Sequence, residues 1–242
     1  MTRGELGALA CVLGAAAAVA LGAPGFLSGL ALAGGAAWVA IASARPELGL
    51  FGCPTTQVRR GIALTIDDGP HPETTPALLA ALAAHGAHAT FFFLADRARQ
   101  HPELVRATVA AGHEIGLHGL THSACLTWKV PAEGSRWLQA GVDALREAGA
   151  PSIRWFRPPF GVVSPRLFAS AKAAKLDVAW VSLRSGDGVV VRPEVLRSRL
   201  ERAREGDVVL IHDGSVATVE VLASVLQRWA PARVGTLAEL AG

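Results

Sequence analysis

Two adjacent carboxylates, Asp67 and Asp68, are the first residues whose types and spacing could do chemistry. They follow the apolar run of residues 62–66 and precede Gly69-Pro70, which turns the chain. Adjacent like charges repel each other, which favours a cation or an arginine nearby. An Asp-Gly turn with solvated acids is the alternative. The pair therefore indicates either a charged functional site or an ordinary surface turn.

Two imidazoles four positions apart form the second feature. His118 and His122 would share one face of a helical turn, as in the HExxH zinc motif, but position 119 is glycine and not glutamate. Two histidines and one carboxylate can still hold a metal and leave coordination positions open. Non-haem iron oxygenases use the same ligand set, usually on an all-β jelly roll.

Arg157 and His212 end two further apolar segments. Arg157 precedes the rigid, glycine-terminated Pro158-Pro159-Phe160-Gly161 loop, and His212 follows the apolar residues 208–211. A single histidine at such a position is more often structural than catalytic, so neither residue by itself defines a function.

Short apolar runs alternate with amphipathic stretches after Arg60. The runs predict strands at residues 62–66, 89–95, 114–118, 153–156, 178–182 and 208–212. Helices are predicted at residues 76–85, 102–111, 132–148, 165–175, 193–205 and 218–229. This alternation is typical of parallel strands with crossover helices, in an open sheet or a barrel.

Chemistry in such folds gathers at the C-terminal ends of the strands. Ionisable residues follow five of the six predicted strands: Asp67 and Asp68, His118, Arg157, Asp187 and His212. No linker or repeat divides this region, and we therefore predict one domain over residues 61–242.

In this order the segments resemble the motifs of the polysaccharide deacetylase family, the NodB-homology domain of carbohydrate esterase family 4. The family patterns TFDDGP, H(S/T)xxH, RxPY(F)G and LxH correspond here to TIDDGP, HGLTH, RPPFG and LIH. The resemblance covers about residues 58–242, and four ordered motifs make it specific. It implies a distorted (β/α) barrel and a hydrolase of carbon–nitrogen bonds that removes an N-acyl group, such as acetyl, from an amino sugar of a glycan.

The resemblance also implies a metal site and a base. Asp68, His118 and His122 are expected to hold one divalent metal ion, zinc in the first place, with cobalt, nickel or manganese as alternatives. Asp67 is expected to be the general base that takes a proton from the attacking water. Arg157 is expected to orient Asp67 and to pair with its charge.

The acid and the acyl pocket are implied in the same way. His212 is expected to be the general acid, tuned by Asp187. The backbone N–H of Phe160, together with the metal, is expected to stabilise the oxyanion, and Leu210 to line the acyl pocket. Amide hydrolysis needs an activated water, a stabilised oxyanion and a proton for the departing amine, and these residues supply each function once.

Three departures from the family pattern are visible. Gly119 replaces Ser or Thr, Gly188 follows Asp187 where the family usually has Trp, and Phe160 stands where Tyr is usual in a chain without tyrosine. The loss of aromatic surface argues against binding of a long glycan chain more than against catalysis.

The N-terminal region is apolar, with no charged residue at positions 6–44 and a turn at Gly22-Ala23-Pro24-Gly25. We predict a hydrophobic helical hairpin of two short transmembrane helices within residues 1–45, followed by a linker over residues 46–60. The alternative is a secretory signal cleaved after Ala44, although the apolar part of a signal is only about 7–15 residues long.

The distribution of charge indicates which partners the protein is expected to have. Arg3 and Arg45 flank the apolar run, which favours a catalytic domain at the cytoplasmic face of a bacterial-type cell membrane, with the extracytoplasmic side as the alternative. The net charge is only +3 and its Lys and Arg residues are scattered, so no nucleic-acid partner is expected.

The sequence leaves two substrate classes open. It is either an amino-sugar glycan or a lipid-linked, polyprenyl-phosphate amino sugar that is deacetylated or deformylated at the membrane. A non-catalytic carbohydrate-binding membrane protein is the alternative from another class.

Overall fold

The computed structural model describes residues 33–41, 48, 54–124, 126, 129–189, 192–230 and 232–241. Residues 33–41 are helical, whereas most of the expected N-terminal hairpin, including its turn at residues 22–25, lies outside the described residues. Within the described ranges, no helix combines the length and the apolar character needed to cross a bilayer.

From residue 54 onward the described chain alternates strands and helices. The strands are β1 (Ile62–Gly69), β2 (Thr90–Leu94), β3 (Glu114–Gly119), β4 (Trp155–Phe156), β5 (Asp177–Val178), β6 (Leu183–Arg184), β7 (Val208–His212) and β8 (Val234–Gly235). The α-helices are α1 (Thr74–Ala84), α2 (Ala95–Gln100), α3 (Pro102–Ala110), α4 (Pro131–Glu147), α5 (Pro165–Ala173), α6 (Pro193–Leu200), α7 (Val216–Trp229) and α8 (Leu237–Ala241). A short 3₁₀ helix covers Pro159–Gly161.

The strands form one parallel sheet in the order β5-β4-β3-β2-β1-β7-β6, with β8 beside the start of β1. Strands β5 and β6 are the two ends of this order, so the barrel is open between them. This half-barrel with outer helices confirms the predicted distorted (β/α) barrel. Its parallel strands bring their C-terminal ends to one edge, where the site lies.

The core has two sides because successive strand residues point to opposite faces. Phe91 and Phe93 of β2 pack in the large apolar cluster shared with the helices. Phe92 instead packs with Trp155 and Leu240 in a smaller cluster. The fully buried β2 explains why its sequence is a continuous apolar run without alternation.

Several element boundaries differ from the predictions; helix α6, for instance, ends at Leu200 and not at residue 205. Strand β1 continues to Gly69, so Asp67 and Asp68 lie within it. The strand predicted at residues 178–182 does not form as one unit. β5 ends at Val178, Ala179 forms a bridge with Thr55, and the chain then turns toward β7 and forms β6 at Leu183–Arg184. Helices α2 and α8 and strand β8 are absent from the predictions, since each is too short to show a period.

Residues 54–60, assigned to the linker by the sequence, are part of the folded domain. Thr55 pairs with Ala179 and Gln57 pairs with Asp207. The side chain of Val58 is buried in the smaller apolar cluster. Isolated bridges of this kind leave no pattern in the sequence.

Candidate active site

Asp67 and Asp68 reach the same cavity because β1 is irregular where they stand. Adjacent side chains of a regular strand point to opposite faces. Here the register with β2 shifts between Asp67 and Gly69, and Asp68 has a φ of 70°. This bulge turns both carboxylates into a cavity of about 340 Å³ at the C-terminal edge of the sheet.

Three side chains of this cavity could hold a metal ion: Asp68, His118 and His122. The Oδ1 atom of Asp68 lies 3.3 Å from Nε2 of His118 and 3.4 Å from Nε2 of His122. Two ligand atoms about 2.0–2.1 Å from a tetrahedral zinc ion are separated by about 3.3 Å, so the spacing fits.

The hydrogen bonds around these residues support the same conclusion. Oδ1 of Asp68 is buried and accepts no hydrogen bond of good geometry among the described groups, which is costly unless a cation binds there. The other imidazole nitrogen of His118, Nδ1, lies 2.9 Å from the carbonyl oxygen of Arg157. That contact directs Nε2 of His118 toward Asp68, as in known metal sites.

The protonation preferences of two of these residues also suit metal binding. Burial raises the pKa of Asp68, but the nearby imidazoles of His118, His122 and His212 outweigh burial and the pKa is lowered. The pKa of His122 is lowered, because burial and the charges of His118, Arg97 and His212 outweigh the attraction of Asp68. Metal binding requires an ionised carboxylate and neutral imidazoles.

The two histidines do not lie on a helical turn, contrary to the HExxH comparison. His118 is in β3. The register between β3 and β2 passes from Leu117 directly to Gly119, so His118 is the extra residue of a second bulge, and His122 follows in a bend. Gly119 between them has a φ of 124°, and a Cβ there would lie 3.1 Å from the carbonyl oxygen of Thr121. The glycine at this motif position is therefore a backbone requirement and not only the loss of a hydroxyl.

Arg157 anchors Asp67 in a buried ion pair. Its Nη1 donates to Oδ1 of Asp67 and to Oγ1 of Thr65, both at 2.7 Å, and its Nη2 donates to the carbonyl oxygen of Trp180 at 3.0 Å. The guanidinium also lies 4.2 Å from the centre of the Phe92 ring. The sequence could not reveal Thr65 or Trp180, because neither residue type suggests a role in charge pairing.

Asp187 holds His212 from behind the cavity. Its Oδ1 lies 2.6 Å from Nδ1 of His212, and its Oδ2 accepts from the His212 backbone N–H at 2.8 Å. Ser185 and Thr218, which sequence reasoning missed, donate to the same carboxylate at 2.5 Å each. Burial lowers the pKa of His212, but the bond and charge of Asp187 outweigh burial, so the pKa is raised.

Phe160 and Leu210 form part of the wall. Leu210 is buried within β7, whereas Phe160 is 63% exposed and has a φ of 59°. The ring centre of Phe160 lies 4.2 Å from that of His122. The structure thus brings eight of the nine predicted site residues to one cavity, and Asp187 contacts it through His212: Asp67, Asp68, His118, His122, Arg157, Phe160, Leu210 and His212.

An open parallel (β/α) barrel with these paired carboxylates, imidazoles and a buried arginine at its strand ends has the layout of a hydrolase site. The sequence profile of the polysaccharide deacetylase family matches residues 55–179, and the chain belongs to this family. It is a carbon–nitrogen hydrolase, as its motifs predicted.

Individual relatives agree with this assignment. The chain is 39% identical to a chitooligosaccharide deacetylase of Bradyrhizobium sp. over 64% of this chain and 71% of the relative. It is 32% identical to a peptidoglycan-N-acetylglucosamine deacetylase of Bacillus cereus over 75% and 89%. It is similar to the structure of a family 4 carbohydrate esterase from Streptomyces lividans in complex with acetate, with a TM-score of 0.66, 30% identity, and coverage of 72% of this chain and 90% of that one.

Proposed function

We propose that this protein is a metal-dependent deacetylase that removes an N-acyl group from an amino sugar of a glycan. One observation carries the proposal: the Asp68–His118–His122 cluster opens into the same cavity as the Asp67–Arg157 and His212–Asp187 pairs. The relatives that act on chitooligosaccharide and peptidoglycan support the amino sugar as the substrate class.

The metal would be held by Asp68, His118 and His122, with zinc as the first candidate and cobalt, nickel and manganese as alternatives. A divalent ion bound there supplies Lewis-acid chemistry, which acidifies water and polarises the acyl carbonyl. Asp68 is on β1 and His118 is on β3, and both strands pair with β2 in one sheet, so the two residues form a rigid part of the site.

Asp67 is the proposed general base. Its Oδ1 is held by Arg157, and its other oxygen, Oδ2, lies 4.0 Å from Nε2 of His118, on the side of the proposed metal ligands. This leaves Oδ2 to accept a proton from the attacking water. Arg157 keeps the carboxylate oriented and compensates its charge in a buried place.

His212 is the proposed general acid. Its Nδ1 is engaged by Asp187, so its other nitrogen, Nε2, is the one available to give a proton to the departing amine. The hydrogen bond and charge of Asp187 outweigh burial and raise the pKa of His212, which favours the protonated imidazole that this step needs.

The acyl group is proposed to sit against Leu210, and the backbone N–H of Phe160 to donate to the oxyanion. The buried side chain of Leu210 offers an apolar wall of the cavity for the acyl group.

Mass spectrometry of a substrate panel tests the proposal. Chitooligosaccharides, peptidoglycan fragments and lipid-linked amino sugars are incubated with the metal-loaded full chain, and loss of acetyl or formyl is expected from at least one of them. The Asp67→Asn variant is the control for a contaminating hydrolase. A metal-loaded protein that releases no acyl group from any amino sugar would contradict the proposal and favour the non-catalytic carbohydrate-binding alternative.

A lipid-linked amino sugar at the membrane is a second candidate substrate. The uncharged residues 6–44 support a membrane anchor, and two exposed apolar side chains at the cavity, Phe160 and Val189, suit an amphiphilic substrate. We propose an uncleaved two-span hairpin within residues 1–45, a linker, and a catalytic domain at the cytoplasmic face.

A reporter fusion tests this placement. Alkaline phosphatase joined after Gly242 is active only when exported, so low activity is expected. Strong activity would contradict the cytoplasmic placement, and a mature N-terminus at Arg45 would contradict the hairpin as well.

A further inference from the structure

Arg184 places a cation in the cavity that the proposed reaction does not use. It is the last residue of β6 and is paired in register with Leu210, whose side chain lines the same cavity. Its guanidinium lies 5.2 Å from the centre of the Trp180 ring. A Cβ at Gly161 would approach the Trp180 ring to 2.8 Å, so the glycine leaves space for the ring beside which the guanidinium lies.

Within the described part of the chain, the charge of Arg184 has no acidic partner. Among the residues that the structure describes, no carboxylate lies within 4 Å of its guanidinium, in contrast to Arg157, Arg154 and Arg99. It is also exposed to solvent, so it can meet a ligand at little cost in desolvation.

The other charges of the cavity are already compensated without Arg184. Asp67 is paired with Arg157, and Asp68 faces the two imidazoles at the proposed metal position. With a divalent ion bound, positive charge exceeds negative charge even before Arg184 is counted. A neutral substrate would leave this excess without a counter-charge, whereas an anionic one would complement it.

We propose that Arg184 is a specificity-determining residue that binds an anionic substituent, a phosphate or a carboxylate, of the amino-sugar substrate. The planar guanidinium, braced by Trp180, matches the two-oxygen geometry of both groups. The substrate class is therefore an anionic N-acyl amino sugar and not a neutral oligomer. This inference rests on the proposed deacetylase function and deepens it.

Kinetics on three probes test the inference and separate the two anions. N-acetylglucosamine is the neutral probe, N-acetylglucosamine 1-phosphate carries a phosphate, and N-acetylmuramic acid carries a carboxylate. In the wild-type enzyme, kcat/KM is expected to be higher for at least one anionic probe than for the neutral one, and this preference should weaken as salt is raised.

The variants Arg184→Ala and Arg184→Lys measure how much Arg184 contributes to the preference for anionic probes. Arg184→Ala should lower the anionic-to-neutral ratio of kcat/KM by about 10-fold, mostly through KM, because a charge-assisted contact is lost. The ratio for Arg184→Lys should lie between the ratios of the wild-type enzyme and of Arg184→Ala. The exposed Arg228→Ala on α7 is the control and should leave the ratio unchanged. An equal loss on neutral and anionic probes, or an unchanged ratio in Arg184→Ala, would overturn the inference.

Direct binding keeps this test separate from the proposed function. Titration calorimetry of the metal-loaded full chain with N-acetylglucosamine 1-phosphate should show binding that Arg184→Ala weakens about 10-fold and Arg228→Ala does not. Such binding without any turnover would contradict the deacetylase proposal and leave the anion site standing. Turnover of neutral probes without any preference for phosphate or carboxylate would contradict the anion site and leave the deacetylase proposal standing.

Discussion

Asp67 and His212 are register partners on the adjacent parallel strands β1 and β7. The backbone N–H of the next residue, Asp213, donates to the carbonyl oxygen of Asp67 at 2.8 Å and extends the pairing past the strand end. Neighbouring strands lie about 4.8 Å apart. The spacing of the proposed base and acid is therefore set by the sheet itself and not by a mobile loop.

Replacing Asp67 by Asn should lower kcat by about 10²-fold or more, because the amide cannot take the proton from water. The metal content should stay at the wild-type level, since Asp67 is not one of the three proposed ligands. The exposed Asp143→Asn on α4 is the matched control.

Folding of Asp67→Asn has to be checked by thermal melting, because the buried Arg157 loses its counter-charge. A correctly folded Asp67→Asn enzyme with near-wild-type turnover would assign the base to another residue.

Replacing His118 or His122 by Ala should reduce bound metal and activity together. His122→Ala is the cleaner variant, because His118 is more deeply buried and also contacts the carbonyl oxygen of Arg157. Elemental analysis of the purified protein gives the metal content. His85→Ala, at an exposed position after α1, should retain the metal. Full occupancy and turnover in His122→Ala would rule out the proposed ligand set.

The pH dependence of kcat/KM should report His212. Its pKa is raised, so the alkaline fall in rate is expected at a pH above the ordinary histidine value of about 6.5. Asp187→Asn removes the charge that favours the imidazolium and should move this fall to lower pH. The exposed Asp177→Asn, whose partner is Arg154, serves as the control. An alkaline limb that stays in place in Asp187→Asn would argue against His212 as the acid.

His113 should make the fold sensitive to mild acid. Burial, and secondarily the charge of His88, lowers the pKa of His113 to about 4, and its Nδ1 accepts from the backbone N–H of Ala89 at 3.3 Å. The unfolded chain binds this proton near pH 6.5, whereas the folded chain does not until about pH 4. The free energy of unfolding should therefore decrease as the pH falls from about 6.5 to 4, by at most about 3 kcal/mol.

Urea unfolding at several pH values measures this contribution. His113→Gln keeps an acceptor but cannot titrate, so its stability should depend less on pH in this window. The exposed His85→Gln should behave like the wild-type protein. An equal pH dependence in all three proteins would show that other groups control acid stability.

Much of the fold follows from local sequence. Strands buried on both faces need continuous apolar residues, and helices on the outside need one apolar face, so the alternation along the chain predicts a parallel (β/α) architecture. The same alternation puts His118, Arg157 and His212 at strand ends. Their convergence on one edge is then a consequence of parallel strands.

The strand periodicity alone predicts the wrong geometry for the paired carboxylates. A period of two would send Asp67 and Asp68 to opposite faces of the sheet. They converge because β1 carries a bulge against β2, and His122 reaches the same place through the bend that follows β3. A bulge exists only relative to a paired strand, so a linear pattern cannot show it.

The sequence by itself determined which chemical groups this protein has and at which strand ends they stand. Only the tertiary structure decided which of them share a cavity, which are neutralised and which are left unpaired. Arg157 meets Asp67 across 90 positions, while Arg184 finds no acid among the described residues. The physical reason is that side-chain type is a local property of the chain, whereas burial and charge partners depend on segments that become neighbours only after folding.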